Sequence, residues 1–256
     1  MRPNTAKQSL LAGQPAIGIF ISATSPLVAE AVGRTGLSWV CVDMQHGETN
    51  LGTLSPLLTA ISATPAMPYA RVAVNDFMEI GRALDLGAYG IIVPLVNTAA
   101  EAEAAVRAAK YPPRGNRSHG PIRGALYGGP DYFAGADQET SLVVMIETRD
   151  GVEQAEEILA VDGVDGCYIG PSDLSIAYGA GANPGTGEQL DPAAEEAIER
   201  VLAAARKTGK FVGMHLFSAA AANRRLAQGI RMIGLGSELR FGIRGITDAL
   251  GGIEHQ

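Results

Sequence analysis

The segment CVDMQHGE, residues 41–48, runs from an apolar stretch into an acid, an imidazole and a second acid: Asp43, His46 and Glu48. Histidine titrates near neutrality, so His46 is a candidate general base or acid. Asp43, three residues earlier, could orient it if the turn folds back. Two more carboxylates follow apolar runs, Glu147 after LVVMI and Asp173 after CYIGPS. A carboxylate there is costly to bury unless positive charge compensates it. With no clustered Cys or His, the pair suits a hard, oxygen-liking divalent ion such as Mg²⁺, Mn²⁺ or Co²⁺ better than a structural zinc. The plainer reading is a salt bridge to Arg71, or for Asp173 a helix N-cap. Arg71 lies in the apolar run YARVAV. Its guanidinium fork matches a carboxylate or enolate oxygen, or pairs structurally with Glu147 or Asp173.

These residues need elements to carry them, and the chain supplies a regular series. Short apolar strands are expected at 17–22, 39–44, 67–73, 90–96, 141–147, 166–172, 211–217 and 231–237. Each precedes a helical stretch: 26–36, 51–63, 76–87, 98–110, 151–161, 191–209, 218–229 and 238–252. The strands read as continuously apolar, as strands buried on both faces do. Several helices end at Gly, at positions 36, 87, 209 and 229. Eight strand–helix units in about 250 residues match a (β/α)8 TIM barrel, an α/β fold, with a doubly wound open sheet as the rival. No shift in composition marks a second domain, so one barrel over 1–256 is expected. In such a barrel the chemistry gathers at the C-terminal strand ends. That would bring together Phe20, Asp43, His46, Arg71, Glu147, Ser172, Asp173 and His215. Two loops break the rhythm, 111–140 and the Gly-rich 179–190, and loops that long are often functional.

The bulk numbers exclude some roles. With 20 basic and 27 acidic residues the net charge is −7. Nucleic acid or an anionic membrane as the main partner would require a basic surface. Cys41 and Cys167 sit in apolar runs and read as small buried hydrophobes rather than a disulfide. The first residues lack a signal-peptide core, and no run nears the ~18 apolar residues of a membrane span, so a cytoplasmic protein is expected. Three motifs fail. HGE (46–48) has the H-x-E of zinc deaminases without a following P-C-x-x-C. GAGANP (179–184) puts Pro184 where a dinucleotide loop needs its last Gly. VDGVDG (161–166) lacks the rest of an EF-hand loop.

Taken together the stretches VDMQHGE (42–48), ARVAVND (70–76), 90–118 ending in YPPRGNRS, MIETRDGV (145–152) and VDGVDGCYIGPSDLS (161–175) resemble the HpcH/HpaI aldolase/citrate lyase family, the metal-dependent pyruvate aldolases. The match keeps order and spacing over nearly the whole chain. The resemblance implies a barrel of the phosphoenolpyruvate/pyruvate-binding type. It implies reversible cleavage of a 4-hydroxy-2-oxo acid to pyruvate or hydroxypyruvate plus an aldehyde. Glu147 and Asp173 would hold a divalent metal chelated by the carboxylate and keto oxygen of the substrate. Backbone N–H groups of Ser172 and Asp173 would bind the substrate carboxylate, with Gly170 and Pro171 also at the substrate. Arg71 would stabilise the enolate oxygen beside the metal. His46, held by Asp43, would manage the hydroxyl proton. Glu48 would cap the next helix or pair with a loop Arg. The resemblance also implies a hexamer, with the last helix (about 238–252) packing on or exchanged with a neighbour.

Several positions depart from the family pattern. Gln45 stands where an acid is frequent, Met145 where a Gln is common, and His215 where an apolar residue is usual. The segment 119–129 also differs and contributes Arg123. His215 and Arg123 are therefore the candidates for setting acceptor choice, with Phe20 and Met145 as further site candidates and a backbone-bonded core histidine as the other reading of His215. Competing functions are a citrate-lyase-type lyase of CoA esters, decarboxylation of oxaloacetate, and a non-catalytic barrel that binds a 2-oxo acid.

Overall fold

The structure, a computed structural model, describes residues 1–179 and 190–253. Among these, eight parallel strands close into a barrel in sequence order, which removes the open-sheet rival. The strands are β1 (Ala16–Ile21), β2 (Trp39–Asp43), β3 (Met67–Arg71), β4 (Gly90–Val93), β5 (Ser141–Met145), β6 (Gly166–Ile169), β7 (Phe211–Leu216) and β8 (Met232–Ser237). An entry helix α1 (Thr5–Leu11) precedes them. Between strands lie α2 (Pro26–Gly33), α3 (Leu51–Ser62), α4 (Phe77–Asp85), α5 (Ala99–Ala109), α6 (Ile122–Gly128), α7 (Tyr132–Glu139), α8 (Arg149–Glu153), α9 (Ala155–Ala160), α10 (Pro171–Ala177), α11 (Pro192–Thr208) and α12 (Ala219–Gln228). The series ends with α13 (Glu238–Gly251). No helix is long and apolar enough to cross a membrane.

Strand periodicity sorts the core into two shells. Successive side chains point to opposite faces. Val40 and Val42 pack outward against helices, while Trp39 and Cys41 fill the lumen. The lumen is aromatic and sulfur-rich, with Phe20, Trp39, Tyr69, Tyr168, Met145 and Met232 all buried. Glycines on neighbouring strands make room for these rings. A Cβ at Gly18 would overlap Trp39, one at Gly90 would overlap Tyr69, and one at Gly213 would press on Tyr168. Continuing the same parity to the strand ends carries Asp43, Arg71, Met145 and His215 to the lumen's mouth.

Three departures from the sequence reading have physical causes. The 111–140 connection holds α6 and α7, each short, with internal Gly and no side-chain cap, so neither carries a start signal or enough periodicity. Helix α1 was also not anticipated; its cap Asn4 accepts from the Lys7 N–H at 3.0 Å. Strands β3 to β6 leave the ladder earlier than read, because Val72, Val96 and Ile146 stay buried beyond the last paired residue. Of the 179–190 loop, residues 180–189 lie outside the described residues.

Gly18→Ala should destabilise the protein by about 1–3 kcal/mol through overpacking against Trp39. Gly81→Ala, in the interior of α4 with open space around it, should stabilise it by roughly 0.5–1 kcal/mol. Urea unfolding of both variants checks the pair; a neutral Gly18→Ala would count against a filled lumen.

Candidate active site

The C-terminal mouth of the barrel contains a cavity of about 330 Å³. Ten of the twelve residues selected from the sequence line it: Phe20, Asp43, His46, Arg71, Met145, Gly170, Pro171, Ser172, Asp173 and His215. Ser22, Tyr168, Phe217 and Ser237 complete the lining. The first three of these lie two residues along from Phe20, Gly170 and His215, so period-two extension of the strands would have found them.

Asp43 and Arg71 end β2 and β3 and are paired in register. Arg71 Nε donates to Asp43 Oδ1 at 2.8 Å and Nη2 donates to Oδ2 at 2.6 Å. Both side chains are largely buried. Burial pushes the Asp43 carboxyl up, but the hydrogen bonds and charge of Arg71 outweigh it and hold the group below the usual carboxylate range. The pairing settles two open readings. Arg71 does not bridge to Glu147 or Asp173. Asp43 does not orient the His46 imidazole; it accepts instead from the backbone N–H of Gln45 (3.1 Å) and His46 (3.3 Å), since the fork of Arg71 occupies the carboxylate. The imidazole itself is exposed at the rim. With Nε and Nη2 committed, Arg71 turns Nη1 toward Met145, whose Sδ is 3.8 Å away, and its guanidinium lies 5.0 Å from the Phe20 ring centre. Glu48 does not cap α3. Asn50 does so, through a reciprocal box with Thr53.

Glu147 lies two residues beyond β5 and is only 3 % exposed. Burial, with repulsion from Asp173, pushes its pKa up to about 7 despite a hydrogen bond from the Leu95 N–H at 3.0 Å. Leu95 is the one non-glycine with positive φ among the described residues, at 54°. Its side chain is half exposed, so packing does not impose that conformation; the conformation instead aims an amide at Glu147. Nothing in the sequence marks Leu95 for this, because a left-handed leucine has no composition signal. Asp173 occupies the first turn of α10, which no side chain caps.

The two carboxylates converge over Gly170. A Cβ added there would collide with Glu147 Oε2 and stand 3.4 Å from Asp173 Oδ2. Among the described residues neither carboxylate has a cationic partner within ion-pair distance, and no group of three His, Cys, Asp or Glu side chains is placed to hold a metal. Two uncompensated oxygen donors over a glycine fit a hard divalent ion that takes its remaining ligands from water and substrate.

His215 stands in β7 with its ring 5.1 Å from Phe20 and 4.9 Å from Phe217. Burial, then the charge of Arg71, pulls its pKa down to about 4, so the ring is neutral at pH 7. Its ring makes no hydrogen bond to backbone among the described residues, so the backbone-bonded core-histidine reading does not hold. Arg123 is a correction. Its guanidinium donates to Thr59 Oγ1 (2.7 Å), Ser62 Oγ (2.9 Å) and Leu86 O (2.9 Å), at the C-terminal ends of α3 and α4. Those helix ends lie at the floor of the barrel, so Arg123 lines no part of the cavity.

Glu147 keeps a proton in the fold at pH values where the unfolded chain has lost it. Its contribution to stability is therefore full below the ordinary glutamate range. It is lost as the pH rises toward 7, by a total on the order of 3 kcal/mol. Urea unfolding in chelator at pH 5 and pH 8 should show wild type losing more stability than Glu147→Gln over that interval; parallel profiles would refute the raised pKa.

A family model described as HpcH/HpaI aldolase/citrate lyase matches residues 16–244. The chain is 37% identical over 242 residues to 5-keto-4-deoxy-D-glucarate aldolase of Klebsiella pneumoniae, covering 93% of this chain and 91% of the relative. It is 40% identical over 221 residues to hydroxypyruvate/pyruvate aldolase of Rhizorhabdus wittichii, covering 86% and 87% respectively. A crystal structure of an HpcH/HpaI aldolase/citrate lyase family protein from Burkholderia cenocepacia superposes with a TM-score of 0.89 at 32% identity, over 97% of this chain and 98% of that one.

Proposed function

The chain belongs to the HpcH/HpaI aldolase/citrate lyase family, and on that premise we propose how its cavity works as a divalent-metal aldolase. It is a carbon–carbon lyase that reversibly cleaves a 4-hydroxy-2-oxo acid to pyruvate or hydroxypyruvate plus an aldehyde. The observation that carries the site assignment is the convergence of Glu147 and Asp173 over Gly170, beside a guanidinium with one edge uncommitted.

Glu147 and Asp173 hold the ion, with Mg²⁺, Mn²⁺ and Co²⁺ all suited to two carboxylates; when bound it supplies a Lewis acid for the charge that develops on the substrate keto oxygen. The chain's own groups do the rest. Gly170 leaves space for the substrate next to the carboxylates, and the first turn of α10 offers the Ser172 and Asp173 N–H groups to its carboxylate. Arg71 reaches the developing enolate oxygen with Nη1. Because Asp43 grips the other two nitrogens, the guanidinium is oriented before substrate arrives. His46 exchanges the proton of the aldehyde-derived hydroxyl, directly or through water. Asp43 assists by fixing the turn that carries His46, not by touching its ring.

A volume of about 330 Å³ suits a small 2-oxo acid with a short aldehyde better than a CoA ester. Decarboxylation of oxaloacetate would use the same enolate-stabilising groups. The acidic chain and its two buried free thiols accord with a cytoplasmic setting. Helix α13 exposes Leu239, Phe241, Ile243, Ile246 and Leu250, too much apolar surface to leave in water. We read it as the helix packed on, or exchanged with, a neighbouring copy in a homo-oligomer, a hexamer by family resemblance.

Chelation should abolish aldol formation from pyruvate or hydroxypyruvate with small aldehydes, and Mg²⁺, Mn²⁺ or Co²⁺ should restore it. Glu147→Ala should block the restoration, and His46→Ala should lower kcat by roughly 10²–10⁴-fold. Exchange of pyruvate methyl protons with D₂O, followed by NMR, reads enolate formation on its own. Tight pyruvate binding without exchange or aldol product would move the protein to the non-catalytic reading. In light scattering, Phe241→Glu with Ile246→Glu should dissociate the oligomer.

A further inference from the structure

We infer that Asn97 is a positioning residue of the metal site: it holds Leu95 in its left-handed backbone conformation and so aims one oxygen of Glu147 at the ion. The inference rests on the divalent-metal reading above and adds to it a residue that touches neither metal nor substrate.

The two oxygens of Glu147 have different surroundings. Oε1 accepts from the Leu95 N–H at 3.0 Å. Oε2 is the oxygen over Gly170, where an added Cβ would collide with it. Without the Leu95 bond the carboxylate could rotate; with it, one oxygen is held and the other is left for a cation. A hydrogen bond that orients a ligand in this way raises metal affinity.

That bond depends on the Leu95 φ of 54°. A left-handed conformation costs a residue with a Cβ roughly 1–2 kcal/mol, and the half-exposed Leu95 side chain does not offset it by packing. The peptide that follows Leu95 is instead pinned at both of its polar atoms. The Val96 N–H donates to the Met145 carbonyl at 3.1 Å. The Leu95 carbonyl accepts from Asn97 Nδ2 at 3.1 Å.

Asn97 is itself fixed from two directions. Its Oδ1 accepts from Thr148 Oγ1, and its backbone N–H donates to Glu101 Oε2 at 2.6 Å. Thr148 follows Glu147 directly and caps α8, accepting from the Gly151 N–H at 3.0 Å. Glu101 belongs to the capping box that starts α5. The carboxamide of Asn97 therefore ties the loop after β4 to the loop after β5, and the bond between Leu95 and Glu147 lies between those ties. The residue type matters. One group must donate to the Leu95 carbonyl and accept from the Thr148 hydroxyl. An amide does both, whereas a carboxylate lacks the donor and alanine has neither.

The test is Mn²⁺ binding to chelator-treated protein without substrate, followed by loss of the EPR signal of the free ion. Glu147→Ala should abolish binding. Asn97→Ala should raise the Mn²⁺ Kd about tenfold or more, and Asn97→Ser should show a loss in the same direction. Glycine adopts positive φ without a Cβ penalty. Adding Leu95→Gly to Asn97→Ala should therefore recover most of the lost affinity, which a general loosening of the loop would not allow. A Kd within twofold of wild type in both Asn97 variants, or no recovery in the double variant, overturns the inference. The two levels separate cleanly. Where wild type binds Mn²⁺ and Glu147→Ala does not, unaffected Asn97 variants refute the positioning role alone. A wild-type protein that binds none of Mn²⁺, Mg²⁺ and Co²⁺ brings down the metal reading as well.

Discussion

The bidentate pair between Asp43 and Arg71 is the interaction around which the mouth of the barrel is arranged. It joins the ends of two adjacent strands at their last paired residues. On one side it turns the guanidinium so that a single edge faces the cavity. On the other, the same carboxylate gathers the N–H groups of Gln45 and His46, while the Asp43 carbonyl accepts from Thr49 Oγ1 at 2.5 Å. The turn from β2 toward α3 is thus folded about one acid. Removing one member of such a buried pair typically costs about 3–5 kcal/mol, because the other charge is left without water or partner. Catalytic geometry and local stability are therefore held by the same two hydrogen bonds.

The floor beneath that pair is rigid for a different reason. Rings from β1, β2 and β6 pack edge to face, Phe20 against Trp39 at 5.7 Å and Tyr168 against Phe20 at 5.8 Å, and Tyr69 of β3 lies tilted on Trp39 at 5.9 Å. They fit because neighbouring strands present glycine. Phe20 belongs to both layers, closing the lumen below and supporting Arg71 and His215 above. Movement of the Arg71 guanidinium would have to displace a ring that is itself locked. This is preorganisation by packing, added to preorganisation by the ion pair.

How much of this was legible in the sequence follows the range of the forces involved. Eight buried strands leave short apolar runs, and polar residues interrupt or end them, so the barrel and Asp43, His46, Arg71, Ser172, Asp173 and His215 could be read locally, with Phe20 as the aromatic of the first strand; Gly170, Pro171 and Met145 were selected through the family resemblance. Partner choice could not. Asp43 is three residues from His46 and twenty-eight from Arg71, yet strand register brings the distant residue opposite and the near one only within backbone reach. Arg123 failed for the same reason: a loop departure looked functional, whereas each of its three guanidinium nitrogens donates to a helix end at the floor. Leu95 was invisible because its contribution is a backbone angle. The short helices α6 and α7 were missed because their glycines erase the helical signal; Gly124 and Gly128 let α6 pack against Tyr89 and Tyr132, and Gly135 lets α7 pack against Met1.

Charge in the cavity is divided rather than mixed, and the division does chemical work. Two acids without cationic partners, Glu147 and Asp173, lie after β5 and β6. The cationic group of the cavity is Arg71, at the end of β3. A barrel that only needed stability would have let these neutralise one another, since unpaired charge near a low-dielectric interior is unfavourable. Here Arg71 is diverted to Asp43, and Glu147 is left protonatable near pH 7 by its surroundings. The separation persists because rigid strands hold the groups apart, and on the function proposed above a divalent cation between the acids would relieve it. On that proposal the field that is unfavourable in the empty barrel would orient a metal-held 2-oxo acid as it enters, with its developing oxyanion toward Arg71.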